Sequence, residues 1–274
     1  MAELVGVYAA SHGPMIVRNW PSLSAHWKET LTAGFSELGR RINAARPDVL
    51  IEISPDHWVN FFIDNLPGIC VGVGETHDGP PEPWLKEFPH RTIPGHPELA
   101  SHIVKTAVEH DFEPSVSYKL ALDHGFCIPL WKAAIDPLPP VVPVILNDLE
   151  PPLPSVKRCY NWGAMLARAV ASYPGDLRVA ILGTGGLSHS IGEPTMGRIE
   201  EAFDRACLAR FEEGDAPSLI AFLNEELPKI GNGAAEIRNW IAAHGAAGGR
   251  GFELIRYDAI PEVYVGCGFA SWKV

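Results

Sequence analysis

Val49-Leu50-Ile51-Glu52-Ile53-Ser54-Pro55-Asp56-His57-Trp58 runs from an apolar stretch into a proline and then an acid–histidine pair. A buried strand that ends at the carboxyl edge of an α/β sheet has this form, and ligands sit at that edge. Taken alone, His57 could be a histidine that caps a strand and bonds a backbone group. The pattern recurs three more times, however. Leu4-Val5-Gly6-Val7-Tyr8 leads to Ser11-His12-Gly13, and Ser115-Val116-Ser117-Tyr118 leads to Asp123-His124-Gly125. Val179-Ala180-Ile181-Leu182 leads to Gly183-Thr184-Gly185-Gly186-Leu187-Ser188-His189. Histidines delivered by four strand ends point to one shared site.

The chain of 274 residues is long enough for one large α/β domain or two small ones. Its hydrophobic content of 46% and charged content of 20% are those of an ordinary globular protein. A formal charge of −11 leaves no basic stripe for phosphates, so no nucleic-acid partner is expected. An anionic substrate would need a local pocket rather than steering by the whole molecule. Cys70, Cys127, Cys159, Cys207 and Cys267 are odd in number and show no CxxC spacing, which fits reduced thiols rather than a disulfide framework or zinc finger. The first residues lack a basic region, His12 interrupts their apolar run, and no apolar stretch is long enough to span a bilayer. A cytoplasmic protein with no membrane partner is expected.

Beyond the first strand, Asn19-Trp20-Pro21-Ser22 introduces a helix to about Ala45, with Leu31, Phe35, Leu38 and Ile42 on one face. The strand at 49–53 follows, then Phe61-Phe62-Ile63, then Gly68–Val73. Residues 75–96 carry Pro80, Pro81, Pro83, Pro89 and Pro94; they read as a surface loop, either a wall or lid of the site or a stiff connector. A helix over 97–109, the strand leading to His124, a short helix over 128–135 and a strand over 141–146 come next. Residues 155–172 read as helix, 177–182 as strand, and 196–226 as helix with a break at Gly214-Asp215. Gly231-Asn232-Gly233 precedes a helix over 234–243, and strands at 253–257 and 262–265 close the chain. With no repeat and no linker, strands alternating with helices predict one domain over 1–274: three α/β/α layers around a central mixed sheet.

Of the 11 histidines, His12, His57, His124 and His189 follow strands. His26, His77, His90, His96, His102, His110 and His244 fall on helix faces or in loops and carry no special expectation. Histidine is the commonest transition-metal ligand, and such a site usually also takes an oxygen donor. Glu236, between Ala234-Ala235 and Ile237, is the best candidate, although spacing alone favours a charge near a helix amino terminus. Gly183-Thr184-Gly185-Gly186 lacks the lysine of a phosphate-binding loop, and Ser188-His189 lacks a nucleophile elbow. Zinc hydrolysis would accept the same two-histidine, one-carboxylate set.

Five blocks, in order, carry a resemblance: Ser11-His12; Ser54-Pro55-Asp56-His57; Val116-Ser117-Tyr118 through Asp123-His124-Gly125-Phe126; Gly183–His189; and Glu236-Ile237-Arg238-Asn239-Trp240. Together they resemble the class III extradiol ring-cleavage dioxygenases, of the protocatechuate 4,5-dioxygenase β-chain, gallate and 2,3-dihydroxyphenylpropionate 1,2-dioxygenase types, over nearly the whole chain. The resemblance implies an α/β fold with the site at one end of the sheet, and Fe(II) held by His12, His57 and Glu236. It implies that His189 is an acid/base beside the metal and His124 a further proton donor or hydrogen-bonding partner. The implied reaction is O2-dependent cleavage beside, not between, the two hydroxyls of a catechol-, gallate- or hydroxypyridine-like ring.

Pro55 precedes Asp56 as in the dihydroxyphenylpropionate enzymes, yet the stretch after His189 is shorter than theirs. Nothing resembling the small α chain of protocatechuate dioxygenase is fused on. A homo-oligomer is expected, with a separate small partner chain left open. The alternatives from the residues are a non-catalytic or regulatory member of the same fold and a zinc-dependent hydrolase.

Overall fold

The protein is described here by a computed structural model that covers all residues except Glu87 and Pro89. Pro89, one of the prolines counted in the 75–96 segment, thus lies outside the described residues. In chain order the elements are β1 (Glu3–Ala10), α1 (Met15–Arg18), α2 (Ala25–Ala45), β2 (Val49–Ser54), β3 (Ile69–Gly72), β4 (Thr76–Gly79), β5 (Arg91–Pro94), α3 (Pro97–Glu109) and β6 (Ser115–Ser117). They continue with α4 (His124–Lys132), β7 (Val141–Leu146), α5 (Val156–Ser172), β8 (Arg178–Thr184), α6 (Glu201–Glu213), α7 (Ala216–Glu226), α8 (Ile237–Ala246), β9 (Phe252–Ile260) and β10 (Val265–Trp272).

Eight strands form one mixed sheet in the order β6-β3-β7-β2-β8-β1-β10-β9. At its centre β7, β2, β8 and β1 run parallel, with Ile51 opposite both Val142 and Ile181. β10 pairs antiparallel with β1 and β9, and β3 antiparallel with β7. Side chains alternate across such strands, and both faces here are covered by helices. Val49, Ile51 and Ile53 share one core cluster with side chains of α3, α5, α6, α7 and α8, while Leu50 shares the other with side chains of α1, α2 and α4. This is the expected three-layer arrangement. The central strands are largely apolar on both faces because neither face meets water, with Glu52 of β2 a fully buried exception.

Helix starts follow their caps. The Ser24 hydroxyl accepts the Trp27 N–H, so α2 begins at Ala25 rather than directly after Ser22. Ser155 caps α5 in the same way, through the Arg158 N–H. Several expectations need correction. The 75–96 segment is not all loop: β4 and β5 form a two-stranded hairpin of their own, apart from the main sheet. Phe61–Ile63 makes only an isolated Phe62–Asn65 bridge, with Phe62 and Ile63 exposed. The helix read at 128–135 starts at His124, where the Asp123 carboxylate accepts the Gly125 N–H. The last strand does not begin at Glu262, because Pro261–Val263 is a 3-10 turn. Among the described residues no helix is long and apolar enough to cross a membrane, and all five cysteines are free and buried.

Candidate metal centre

Three of the four histidines singled out in the sequence leave adjacent parallel strands at their carboxyl ends: His12 after β1, His57 after β2 and His189 after β8. His124 arrives differently. Its strand, β6, lies at the far edge of the sheet, and the ring reaches the centre because residues 118–123 cross back to start α4. The crossing is tied by Asn60, whose side chain donates to the Ala121 carbonyl and accepts the Ala121 N–H. Asp56 of the Ser-Pro-Asp-His block faces away from the cluster. Its carboxylate accepts the N–H groups of Asn60 and Phe61 and shapes the turn after His57.

All four rings converge. Donor atoms of His12, His57 and His124 lie within 4.8 Å of one another, and the His57 and His124 ring centroids are 4.0 Å apart. Glu236 enters from the 3-10 turn at Asn232–Glu236, immediately before α8. Its carboxylate lies 3.4 Å from His12 Nε2, 3.6 Å from His57 Nε2 and 3.6 Å from His189 Nε2. It does more than complement a helix terminus: Oε2 accepts the Gly186 N–H at 2.7 Å, whereas Oε1 is buried without a hydrogen-bond partner among the described residues.

On every ring the outer nitrogen is engaged, which fixes the inner one. Thr184 donates its hydroxyl to the Ile53 carbonyl and so accepts from His12 Nδ1 at 3.1 Å. His57 Nδ1 donates to Asp123 at 3.1 Å, His124 Nδ1 to Glu82 at 2.7 Å and His189 Nδ1 to the Leu187 carbonyl at 2.9 Å. A histidine whose Nδ1 carries the hydrogen turns an Nε2 lone pair to the other side. His12 Nε2 and His124 Nε2 are buried with no hydrogen-bond partner among the described residues. Inward lone pairs around a carboxylate repel one another unless protons or a cation lie between them. This donor set, imidazole nitrogens with one carboxylate, suits a divalent transition metal.

Protonation follows the same logic. Glu236 is pushed up by burial, but His12 and His189 outweigh it and hold the carboxyl well below the usual range. Burial works against charge on His57, yet Asp123 and Glu236 raise it to about 10. His189 is also raised, Glu236 outweighing burial. Burial, reinforced by His57, lowers His124 to about 4, and burial lowers His12. Metal binding at His57 would therefore release a proton, whereas His12 is held neutral.

The support around the cluster comes largely from other residues of the quoted blocks, joined by Asp204 and Trp84, which no sequence pattern marked. A Cβ on Gly125 would meet His57 Cε1 at 3.0 Å, and one on Gly233 would overlap the His189 ring. Gly185, at φ +112°, passes beside Glu236 and His12 in a conformation that other residues rarely adopt. In the Glu236–Trp240 block, Asn239 donates to the Thr184 carbonyl and Trp240 to the Gly185 carbonyl, so the first turn of α8 pins the loop after β8. Asp204 of α6 accepts both the Ser188 N–H and hydroxyl and steadies the residue before His189. From the proline-rich segment, Trp84 lies 5.4 Å from the His124 ring, making that segment a wall of the site. Two histidines assigned no special place are also buried. His244 accepts from the Trp272 indole, and His77 sits inside the β4 strand.

Such a cluster, at the carboxyl edge of a three-layer sheet, defines an α/β protein with the donors of a transition-metal site. Over residues 6–268 the chain matches the family described as the catalytic LigB subunit of aromatic ring-opening dioxygenase, and it belongs to that family. It is 28% identical to 2,3-dihydroxyphenylpropionate/2,3-dihydroxicinnamic acid 1,2-dioxygenase 2 of Dechloromonas aromatica, over 94% of each chain. It is 27% identical to the 2,3-dihydroxyphenylpropionate/2,3-dihydroxicinnamic acid 1,2-dioxygenase of Escherichia coli K12, over 97% of each. Its fold is similar to that of the uncharacterized protein JW3007 from Escherichia coli K12, with a TM-score of 0.64 and 17% identity over 97% of this chain and 100% of that one.

Proposed function

We propose that residues 1–274 form a single catalytic domain that opens the ring of a small aromatic diol with O2. Cleavage is extradiol, at an Fe(II) held by His12, His57 and Glu236. The observation that supports this most is the common orientation of the rings: every outer Nδ1 is engaged, and the inner donors gather about one buried carboxylate. When bound, Fe(II) supplies the redox step between O2 and the diol, and three ligands leave positions open for both.

The protein's own groups do the rest. Asp123 and Thr184 keep His57 and His12 in the ligand tautomer. His189, with Nδ1 bound to Leu187, offers Nε2 as the base that takes a proton from the diol. His124 offers a second Nε2 lone pair on the side walled by Trp84, which takes the diol's other proton and returns that proton to the opening ring. The names of the relatives favour a 2,3-dihydroxyphenyl substrate with a carboxylate-bearing side chain. Five reduced, buried thiols suit a cytoplasmic setting.

The test is anaerobic loading with Fe(II) or Zn(II), followed by oxygen uptake on 2,3-dihydroxyphenylpropionate, protocatechuate, gallate and dihydroxypyridines. Uptake of one O2 per ring with Fe(II) alone, and a yellow ring-opened product, is expected. A zinc-supported hydrolysis, a muconate product, or no uptake on any diol would overturn the proposal.

A further inference from the structure

Two carboxylates hold two histidines by the same pair of atoms. One oxygen of Asp123 accepts both the His57 backbone N–H at 2.7 Å and His57 Nδ1 at 3.1 Å. One oxygen of Glu82 accepts both the His124 backbone N–H at 2.9 Å and His124 Nδ1 at 2.7 Å. Asp123 belongs to the chain beside the site, but Glu82 comes from the hairpin segment between β4 and β5, remote from the sheet edge in sequence. Its backbone is stiffened by Pro80, Pro81 and Pro83. Leu85, buried in the core beneath α2 and α4, anchors the same segment.

From this repetition we infer that Glu82 is the positioning residue for His124. It fixes the Nδ1–H tautomer, and thereby aims the Nε2 lone pair at the site. The inference rests on the proposed role of His124 for its kinetic consequence, but not for the clamp itself. A carboxylate can only accept, so the 2.7 Å contact requires a hydrogen on Nδ1 of His124. The main-chain bond matters equally. The His124 N–H is one of the free donors at the start of α4, and binding it to the same oxygen locks ring and helix terminus together. Without Glu82 the ring is free to rotate or to move its hydrogen to Nε2, which would leave no inward lone pair. The ligand atoms of Glu82, Asp123 and His124 also lie within 4.8 Å of one another, so a second metal held there is the competing reading. The hydrogen bonds occupy Glu82 Oε1 and His124 Nδ1, whereas Glu82 Oε2 is buried without a hydrogen-bond partner among the described residues, so the metal count per chain decides between the two readings.

Selective 15N-histidine labelling and long-range 1H–15N spectra of the metal-free protein read the tautomer directly, with His124 assigned by its loss in His124→Gln. The wild type should show Nδ1–H at His124, and Glu82→Ala should shift it mainly to Nε2–H. After iron loading, Glu82→Ala should lower kcat by about 10–100-fold, the usual worth of such a supporting group, with KM little changed and iron per chain unaltered. Glu82→Gln, whose amide oxygen can accept both N–H groups, should recover most of the rate. An unchanged tautomer in Glu82→Ala, iron lost in step with activity, or two metals per wild-type chain falling to one would each overturn the inference. A wild type that consumes no oxygen on any diol strikes the proposed reaction instead, and the spectra still decide the clamp.

Discussion

Asp123 approaches His57 so closely that one carboxylate oxygen binds both its backbone N–H and its ring Nδ1. The pair is buried, and His57 in turn pulls the Asp123 carboxyl far below its ordinary range, against the effect of burial. Replacing Asp123 with Ala should therefore free the His57 ring and weaken metal binding by about 10–100-fold. Competition titration against a chelator checks this, and retention of wild-type affinity would mean that His57 needs no orienting partner.

Glu236→Ala should remove the metal while leaving the fold in place. Among the described residues the polar contacts of the carboxylate are with three imidazoles and the Gly186 N–H. Metal content by mass spectrometry and far-UV circular dichroism separate the two effects. Full occupancy in this variant would end the assignment of Glu236 as a ligand.

His189→Asn and His124→Asn should keep iron but lower kcat by about 10²–10⁴-fold each, as loss of a general acid or base does. The double variant should fall short of the product of the two if both serve one proton-transfer sequence. Iron titration beside single-turnover kinetics distinguishes the outcomes. Iron lost with either ring would make that histidine a ligand.

Gly233→Ala tests the same ring from behind. A methyl there overlaps the His189 imidazole, so the ring must swing away from its Leu187 bond. A kcat loss approaching that of His189→Asn, with iron retained, is expected. Normal turnover would show that His189 works in more than one position.

Asp204 should leave a signature in the pH dependence of stability. Burial raises its carboxyl to about 6, only partly offset by Tyr257 and Ser188. Between the ordinary value near 4 and about 6, the folded chain holds this proton more tightly than the unfolded chain, so stability falls as pH rises through that window. The loss at neutral pH is about 3 kcal/mol. Asp204→Asn should remove that slope, making the substitution more damaging at pH near 4.5 than near 7.5 in urea melts. Equal damage at both would place the proton elsewhere.

Much of this was legible in the chain before any coordinates. The run from Val49 to His57 has the form of a central strand, because both faces of β2 are buried and four of its six residues are apolar, Val49, Leu50, Ile51 and Ile53. Strand ends also marked where His12 and His189 would meet it. Glu82 was not legible: a single acid among prolines carries no period, and its partner lies 42 residues away. The last strand was misplaced for a different reason. Gly266 and Gly268 look like breakers, yet β10 needs Gly268 because a Cβ there would strike Leu187 and meet Trp240 at 2.9 Å. Glu236 was ambiguous because helix-terminus chemistry and metal chemistry ask for the same residue type at the same place.

The hairpin segment from Thr76 to Pro94 reaches the cluster from outside the main sheet, while His12, His57 and His189 hang from three of its central strands. Descent with modification acts unequally on such parts. Changes in the central strands disturb ligands and core at once, whereas the parts of the segment around Glu82 can vary with the metal donors and the His124 clamp left standing. New ring specificities in lineages of this protein should therefore be written first between residues 76 and 94, around a centre that stays the same.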